Sequence, residues 1–556
     1  MSYCSSVTHT VADAILRILA SHGVRYAFGI PGVHNLAFWK SDLPGAPRII
    51  SVRHEQSAVY AADGIARATG GLGVALTTTG PGAANTLGAF GEASISRSPL
   101  LVISSEAPIA SRTPGIYRGY LHEMTDQASL FTPLAKVGES GAPLAKSASN
   151  SIEAIEFLKE MIVEITKAPS GAGYLGIPAD ILSASFDGDL DVPKPPSMKP
   201  INVDVLAKSI KDSRRIIFWV GGGATEVDRE ITELSELLKA PIITTFAGRG
   251  IGSPSRYSLQ VPVHEKEVSE LLASADLLII MGSQFDGMNT KNWTLKLPEK
   301  IAVIDAAPEL IERNAPVDIS LKTDLEPRLF ETLLNLLKTK EVSAWNEWAD
   351  VASINQSARA RISSTPEGKS GMRLVDAIDR SWPLEGRIVL DMCIAGYWSG
   401  GYLEGKRARR IAYPVGWGTL GFALPTSIGA AIDGTETLVV AGDGGIAFAL
   451  AELATLVQES LPVTILLHDD GGYGMLRYDQ KVMNAAERGV DLRHHRAGER
   501  AKQTSESARL LPERRRLLAL LLPKENHSTT IGLTSSCRAS SRGRRVSYLG
   551  EFCSGS

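Results

Sequence analysis

Short apolar runs alternate with amphipathic stretches through most of the chain, the pattern of strand, helix and strand repeated. From Thr8 to Asp187 the runs Tyr26 to Gly29, Val74 to Thr78 and Leu100 to Ser104 read as strands. The N-terminal stretch from Met1 to Gly23 reads as an amphipathic helix. Strands separated by helices at this spacing predict a parallel sheet covered on both faces. The Pro- and Asp-rich segment from Asp189 to Pro200 reads as a linker. A second unit follows from Asn202 to Leu337, with strands at Arg215 to Val220, Pro241 to Thr245, Leu277 to Met281 and Ile301 to Ile304. The polar stretch Ser357 to Lys369 also reads as a linker. A third unit starts near Met372, with strands at Arg387 to Asp391, Thr437 to Ala441 and Pro462 to Leu467. The predicted fold class is α/β, three consecutive parallel-sheet domains over residues 1–188, 200–340 and 370–492.

Residues 493–556 break the pattern. They carry 13 Lys and Arg against 5 Glu and are rich in Ser and Leu, and only Arg509 to Leu522 could form a helix. No strand that would finish the third sheet is expected beyond Leu522. The segment reads as an atypical, poorly ordered tail, of the kind translation in another frame would give, leaving one sheet edge uncovered.

Composition adds mainly exclusions. The 556 residues are 44% hydrophobic and 21% charged with a net charge of -3, which points away from nucleic acid and anionic membrane surfaces. Cys4, Cys393, Cys537 and Cys553 have no metal or disulfide spacing. The N-terminus lacks a basic segment followed by an apolar core, and no apolar run reaches the roughly 20 residues of a membrane span. A soluble, cytoplasmic protein is expected.

The densest chemistry lies in the third unit. Gly442-Asp443-Gly444-Gly445 follows a strand, and Asp470 comes 25 residues after Gly445 in His468-Asp469-Asp470-Gly471-Gly472-Tyr473-Gly474-Met475. Gly442 and Gly444 are expected to allow a tight turn into a helix over Ala447 to Glu459, whose free N–H groups suit a diphosphate. Asp443 and Asp470, at consecutive strand ends, offer hard oxygens for magnesium. A surface turn with two unrelated acids is the plain alternative, and the intervening strand, helix and strand outweigh it.

Gly-Asp-Gly, about 25 residues and a short polar pair resembles the signature of thiamine-diphosphate-dependent enzymes, in particular the acetolactate-synthase-like branch. Where that family has Asn-Asn or Asn-Asp, this chain has His468-Asp469-Asp470. By position, the resemblance implies that Asp443, Asp470 and the Gly472 carbonyl hold Mg2+. Gly442, Gly444, Gly445, Gly474 and Met475 would lie against the cofactor. It also implies that Glu55, in Arg53-His54-Glu55-Gln56, faces N1′ of the aminopyrimidine and drives proton removal from C2. A helix N-terminal Glu that simply favours the helix dipole is the alternative there. Gly29-Ile30-Pro31-Gly32 and Gly80-Pro81-Gly82-Ala83-Ala84-Asn85 resemble the loops that approach the pyrimidine, giving Gly29, Pro31, Gly32, Gly80 and Asn85 as cofactor contacts. Gly416 to Pro425 resembles the segment before the diphosphate motif. In it Gly418 would touch the cofactor and Leu420 would prop its V-shaped conformation. The three units become pyrimidine-binding, central and diphosphate-binding domains. Family members are homodimers or homotetramers with sites between subunits, so Glu55 would act on cofactor held by a partner.

Departures bear on the reaction. Acetolactate synthases carry Phe-Gln-Glu where this chain has Leu121-His122-Glu123, an Asp-Arg pair where it has Gly287-Met288, and a pocket Trp where it has Asp479. His122 is a candidate catalytic acid or base, an ordinary loop His being the alternative. Gly221-Gly222-Gly223 resembles a loop that holds FAD in relatives, although FAD is not the favoured assignment. The resemblance implies a lyase or transferase that decarboxylates a 2-oxo acid, the product being protonated or joined to an acceptor. The segments around His122 and Met475 resemble a branch acting on larger polar acids such as the guanidino type. A true acetolactate synthase, or an impaired homologue with a defective C-terminus, are the alternatives.

Overall fold

The computed structural model describes residues 9–41, 43–113, 116–193, 201–338 and 346–492, and the backbone of 518–522. Three parallel sheets follow one another. The first contains β1 (Tyr26–Gly29), β2 (Arg48–Ser51), β3 (Gly73–Thr77), β4 (Leu100–Glu106), β5 (Ala145–Ser147) and β6 (Ala172–Pro178), in the order β2-β1-β3-β4-β6-β5. The second contains β7 (Ile216–Val220), β8 (Ile242–Thr244), β9 (Leu277–Met281), β10 (Ile301–Asp305) and β11 (Ile319–Lys322), in the order β11-β10-β9-β7-β8. The third contains β12 (Arg387–Leu390), β13 (Ile411–Ala412), β14 (Thr437–Gly442), β15 (Val463–His468) and β16 (Leu518–Leu522), in the order β13-β12-β14-β15-β16. Central strands such as β3, β4, β7 and β14 are buried along their whole length, as strands covered on both faces must be.

The first helix, α1 (Val11–Ser21), starts at a capping box between Thr10 and Asp13 and buries Val11, Ile15, Leu16, Ile18 and Leu19. Two further helices of the first unit matter for the site, α2 (Glu55–Thr69) and α3 (Leu87–Ile95). The polar stretch expected as a linker is helical instead. It forms the end of α4 (Val351–Ile362) and the start of α5 (Pro366–Ser381). Asp350 and Thr365 cap the two helices, Pro366 occupies the first turn of α5, and Ala358, Ile362 and Gly368 are buried beneath the polar surface. In the third unit α6 (Ile394–Tyr402), α7 (Ala423–Ala431) and α8 (Gly474–Val482) follow strand or loop ends at one edge.

The expectation of an uncovered edge is overturned. Leu518–Leu522 pairs in parallel with β15, Thr464 opposite Leu518 and His468 opposite Leu522. A five-residue apolar run fits a strand as readily as a helix, and pairing with β15 decides between them. The remainder of the expected tail, 493–517 and 523–556, lies outside the described residues.

The first and third units touch through α2 and α7. A side-chain carbon on Gly64 would run into the Thr426 carbonyl, and one on Gly429 into the Ala61 carbonyl. Glycine at both crossings brings the helix backbones together, behind the two segments that carry the candidate chemistry.

Candidate active site

The carboxyl ends of β12, β14 and β15 open side by side, the edge where parallel α/β sheets place ligands. Gly442 ends β14, and Asp443 starts a helical turn (Asp443–Ile446) that continues as a 3-10 turn (Ala447–Glu452) and a helix (Leu453–Gln458). The single helix expected over Ala447 to Glu459 therefore starts earlier and is broken. Ala449 leaves helical geometry at φ -131°, next to Phe448, which crowds the left-handed Gly421. Gly442 is extended (φ -87°), and Gly444 is not among the positive-φ glycines. These glycines supply space, not an unusual turn. A carbon on Gly442 would stand 2.9 Å from Cβ of Cys393, and one on Gly444 2.8 Å from the Gly472 carbonyl.

Asp443 is buried, and its Oδ1 accepts the Asp470 N–H at 3.4 Å. Burial, then the carboxylates of Asp470 and Asp469, push its pKa up to about 6. Gly474 has no room for a side chain because Asp470 Oδ2 occupies that place. Met475 follows in the first turn of α8. Gly442, Asp443, Gly444, Gly445, Asp470, Gly472, Gly474 and Met475 thus lie together on two neighbouring strand-end loops. Among the described residues no three His, Cys, Asp or Glu side chains gather as a metal site on their own.

The segment leading into α7 forms a third wall. Gly418 is left-handed (φ 68°) and packs near Met392, and Leu420 is half-buried against the core. Two buried acids hold this segment, and sequence reasoning missed both. Asp391 accepts N–H bonds from Met392 (2.8 Å), Gly421 (3.1 Å) and Ala423 (3.2 Å), and sits 3.3 Å from where a carbon on Gly445 would be. Burial pushes its pKa up to about 6 against those three bonds. Glu92 of α3 accepts from Gly416 N (3.0 Å) and Trp417 N (2.8 Å) and is paired with Arg67 at 3.2 Å. The only sequence signal for Asp391 was its place at a strand end, and Glu92 had none.

In the first unit, Glu55 opens α2, so the helix-terminal position foreseen as an alternative is real. Its Oε2 accepts from Asn85 Nδ2 at 3.0 Å, and Oε1 lies 3.6 Å from where a carbon on Gly82 would stand. Gly29 is pressed against the Leu76 carbonyl and Gly32 against Thr78, with Pro31 between them, and Gly32 N donates to Asn35 Oδ1 at 2.7 Å. Gly80 is left-handed (φ 64°), and its N–H donates to the buried Gln127 Oε1 at 2.6 Å. His122, itself at φ 65°, places its carbonyl 2.8 Å from the missing Gly80 side chain. Beside it stands His34, which the sequence reading did not single out.

Two carboxyl-edge half-sites, one with a helix-terminal Glu and one with a Gly-Asp-Gly turn, are what a thiamine cofactor would bridge. Family models agree: "Thiamine pyrophosphate enzyme, N-terminal TPP binding domain" matches residues 9–130, the central domain 203–334, and the C-terminal TPP binding domain 392–499. The chain belongs to the thiamine pyrophosphate enzyme family. It is a thiamine-diphosphate-dependent enzyme of the acetolactate-synthase-like kind, and its three sheets are that family's three domains. A probable 2-ketoarginine decarboxylase (AruI) of Pseudomonas aeruginosa is 32% identical over 496 residues, covering 87% of this chain and 86% of the relative. An acetolactate synthase of Mycobacterium bovis is 29% identical over 504 residues, covering 86% and 78%. A probable acetolactate synthase large subunit of Methanocaldococcus jannaschii is 28% identical over 492 residues, covering 84% and 81%. No helix among the described residues is long and apolar enough to cross a membrane. The glycines of the Gly221-Gly222-Gly223 turn have a structural use here. Gly221 and Gly223 let the loop after β7 cross Gly282 and Ser283 after β9 without side-chain collision.

Proposed function

We propose that this family member is a decarboxylase of 2-oxo acids that carry a long cationic side chain, working with thiamine diphosphate and Mg2+. The observation that carries the substrate class is Asp479. It lies half-buried on α8, directly beyond the Asp470 loop, and its carboxylate has no hydrogen bond or ion pair among the described residues. Burial first, then Cys393 and the Asp479 charge, raise the hydroxyl pKa of Tyr397 on α6. Cations on the same helix are already engaged. Arg477 donates to the carbonyls of Asp470, Gly471 and Val490, and Arg477 and Lys481 both pair with Glu487. A carboxylate without a partner of its own, within electrostatic reach of a tyrosine hydroxyl, suits a guanidinium or ammonium group. The relative named a probable 2-ketoarginine decarboxylase supports the same reading.

Bound thiamine diphosphate supplies a carbanion-stabilising ring to the carbon that loses its carboxylate. Asp443, the Asp470 side chain and the Gly472 carbonyl would hold magnesium. Their fit rests on crowding: burial first, then the carboxylates of Asp470 and Asp469, raise the pKa of Asp443, and a divalent cation relieves that repulsion. Gly442, Gly444, Gly445, Gly474 and Met475 would line the diphosphate. Gly29, Pro31, Gly32, Gly80, Asn85, Gly418 and Leu420 would line the rings. Glu55 would hold the proton at the aminopyrimidine nitrogen, oriented by Asn85, and His122 would give or take a proton at the substrate. The domains are assigned as 1–188 pyrimidine-binding, 200–340 central and 370–492 diphosphate-binding. A homodimer with shared sites is supported by exposed apolar residues near both halves, among them Tyr117, Leu121, Phe448, Leu476 and Met483.

Asp479→Asn tests the substrate class. A charged hydrogen bond is worth roughly 1.5–3 kcal/mol, so KM for a guanidino 2-oxo acid should rise about 10- to 100-fold while that for a neutral acid stays put. An equal change for both acids would remove Asp479 from recognition.

A further inference from the structure

Decarboxylating a 2-oxo acid to an aldehyde releases carbon dioxide and consumes one proton, which must reach the carbon that lost the carboxylate. His122 is the candidate donor. A second imidazole stands next to it. His34 comes from the turn after β1, is 8% exposed, and meets the His122 ring edge-on at 5.9 Å between centroids. Its Nδ1 lies 3.0 Å from Thr79 Oγ1, which continues to Ser105 Oγ at 3.1 Å. Its Nε2 faces the Tyr120 hydroxyl at 3.5 Å, the two rings lying 5.7 Å apart and 25° from parallel. Both nitrogens of His34 are therefore engaged. His122 has a buried Nδ1 without a hydrogen-bond partner among the described residues, and its backbone is clamped against Gly80.

We propose that His34 is a positioning residue that makes His122 the proton donor: it stays neutral, anchored through Thr79, and holds the His122 and Tyr120 rings at the substrate side. Two imidazoles this close do not readily carry charge together, so one of the pair keeps the proton. Burial first, and His122 second, lower the pKa of His34, which favours its neutral form. The titratable groups facing His34 are His122 and Tyr120 from one loop. Its other partner, Thr79, is a hydroxyl that continues to the hydroxyl of Ser105. The Thr79 link also ties the pair to the strand end that carries Gly80, and so to the Asn85 and Glu55 side of the site. This assignment rests on the decarboxylase reading for its purpose, but not for its geometry.

The geometry is tested without substrate. In the cofactor-free protein, imidazole titrations followed by NMR, assigned with His122→Asn and His34→Asn, should show His122 taking its proton at higher pH than His34. Turnover then tests the role. His34→Phe keeps a ring but loses the Thr79 link, so kcat should fall about 10- to 100-fold with KM nearly unchanged. The basic limb of its pH profile should move to lower pH, because an apolar neighbour disfavours the charged His122. His34→Asn keeps an amide where Nδ1 was and should recover most of that loss. His34 protonating first, or a Phe variant with wild-type kcat and pH profile, would overturn the proposal. A wild-type protein with the expected titration order but no carbon dioxide release would instead sink the decarboxylase reading.

Discussion

At the scale of single residues, two carboxylates define opposite kinds of prediction. Glu55 is bound to Asn85 at the mouth of α2, where it can share a proton with a ring nitrogen and do little for the fold. Glu55→Gln should keep cofactor binding, read as an unchanged thermal shift on adding thiamine diphosphate and magnesium. Turnover should drop about 10²–10⁴-fold, the usual worth of general acid–base catalysis. Turnover near wild type would exclude Glu55 from proton handling. Asp391 is a fold residue with a pH signature. Its folded pKa of about 6 lies above the ordinary value of about 3.9, so the folded state binds its proton more tightly. Its contribution to stability is therefore full below about pH 4 and is lost as pH rises through about 6. Unfolding free energies of the cofactor-free Asp391→Asn variant, measured from pH 4 to 7, should show a shallower fall with rising pH than wild type. The difference should amount to about 2–3 kcal/mol across the window. Parallel curves would mean the carboxyl titrates normally.

At the scale of elements, what could be read from sequence was whatever local pattern controls. The central strands of each sheet and the amphipathic first helix follow from apolar runs and their spacing. The Gly-Asp-Gly turn was placed correctly at a strand end, but for an incomplete reason. Gly442 and Gly444 are required by neighbours from Cys393 and Gly472, distant in sequence. Polar Ser357 to Lys369 hid two helices, because surface helices there bury only a narrow stripe. The broken helix after Asp443 and the strand Leu518–Leu522 depend on tertiary contacts, with Gly421 and with β15, which no local window contains. His34, Asp391 and Glu92 were invisible for the same reason. A buried His or acid looks like any other until its partners are known.

At the scale of the whole molecule, three similar sheets divide the work. The first and third meet through glycines on α2 and α7. The second adds no residue to the chemistry proposed here. The Phe285-Asp286-Gly287-Met288 turn, whose Asp286 accepts from Asn289 N at 2.9 Å, leaves Met288 exposed where acetolactate synthases present a cation for their second acid. On the proposed reading, that change together with Asp479 on the third sheet's helix would favour a cationic substrate over the joining of two small acids. Carbon dioxide release from a panel of 2-oxo acids, with and without thiamine diphosphate and magnesium, tests this most directly. Guanidino and amino side chains should be turned over fastest, only with cofactor, to the corresponding aldehydes, and pyruvate should yield little acetolactate. Efficient acetolactate formation from pyruvate, with the cationic acids left unreacted, would contradict the account.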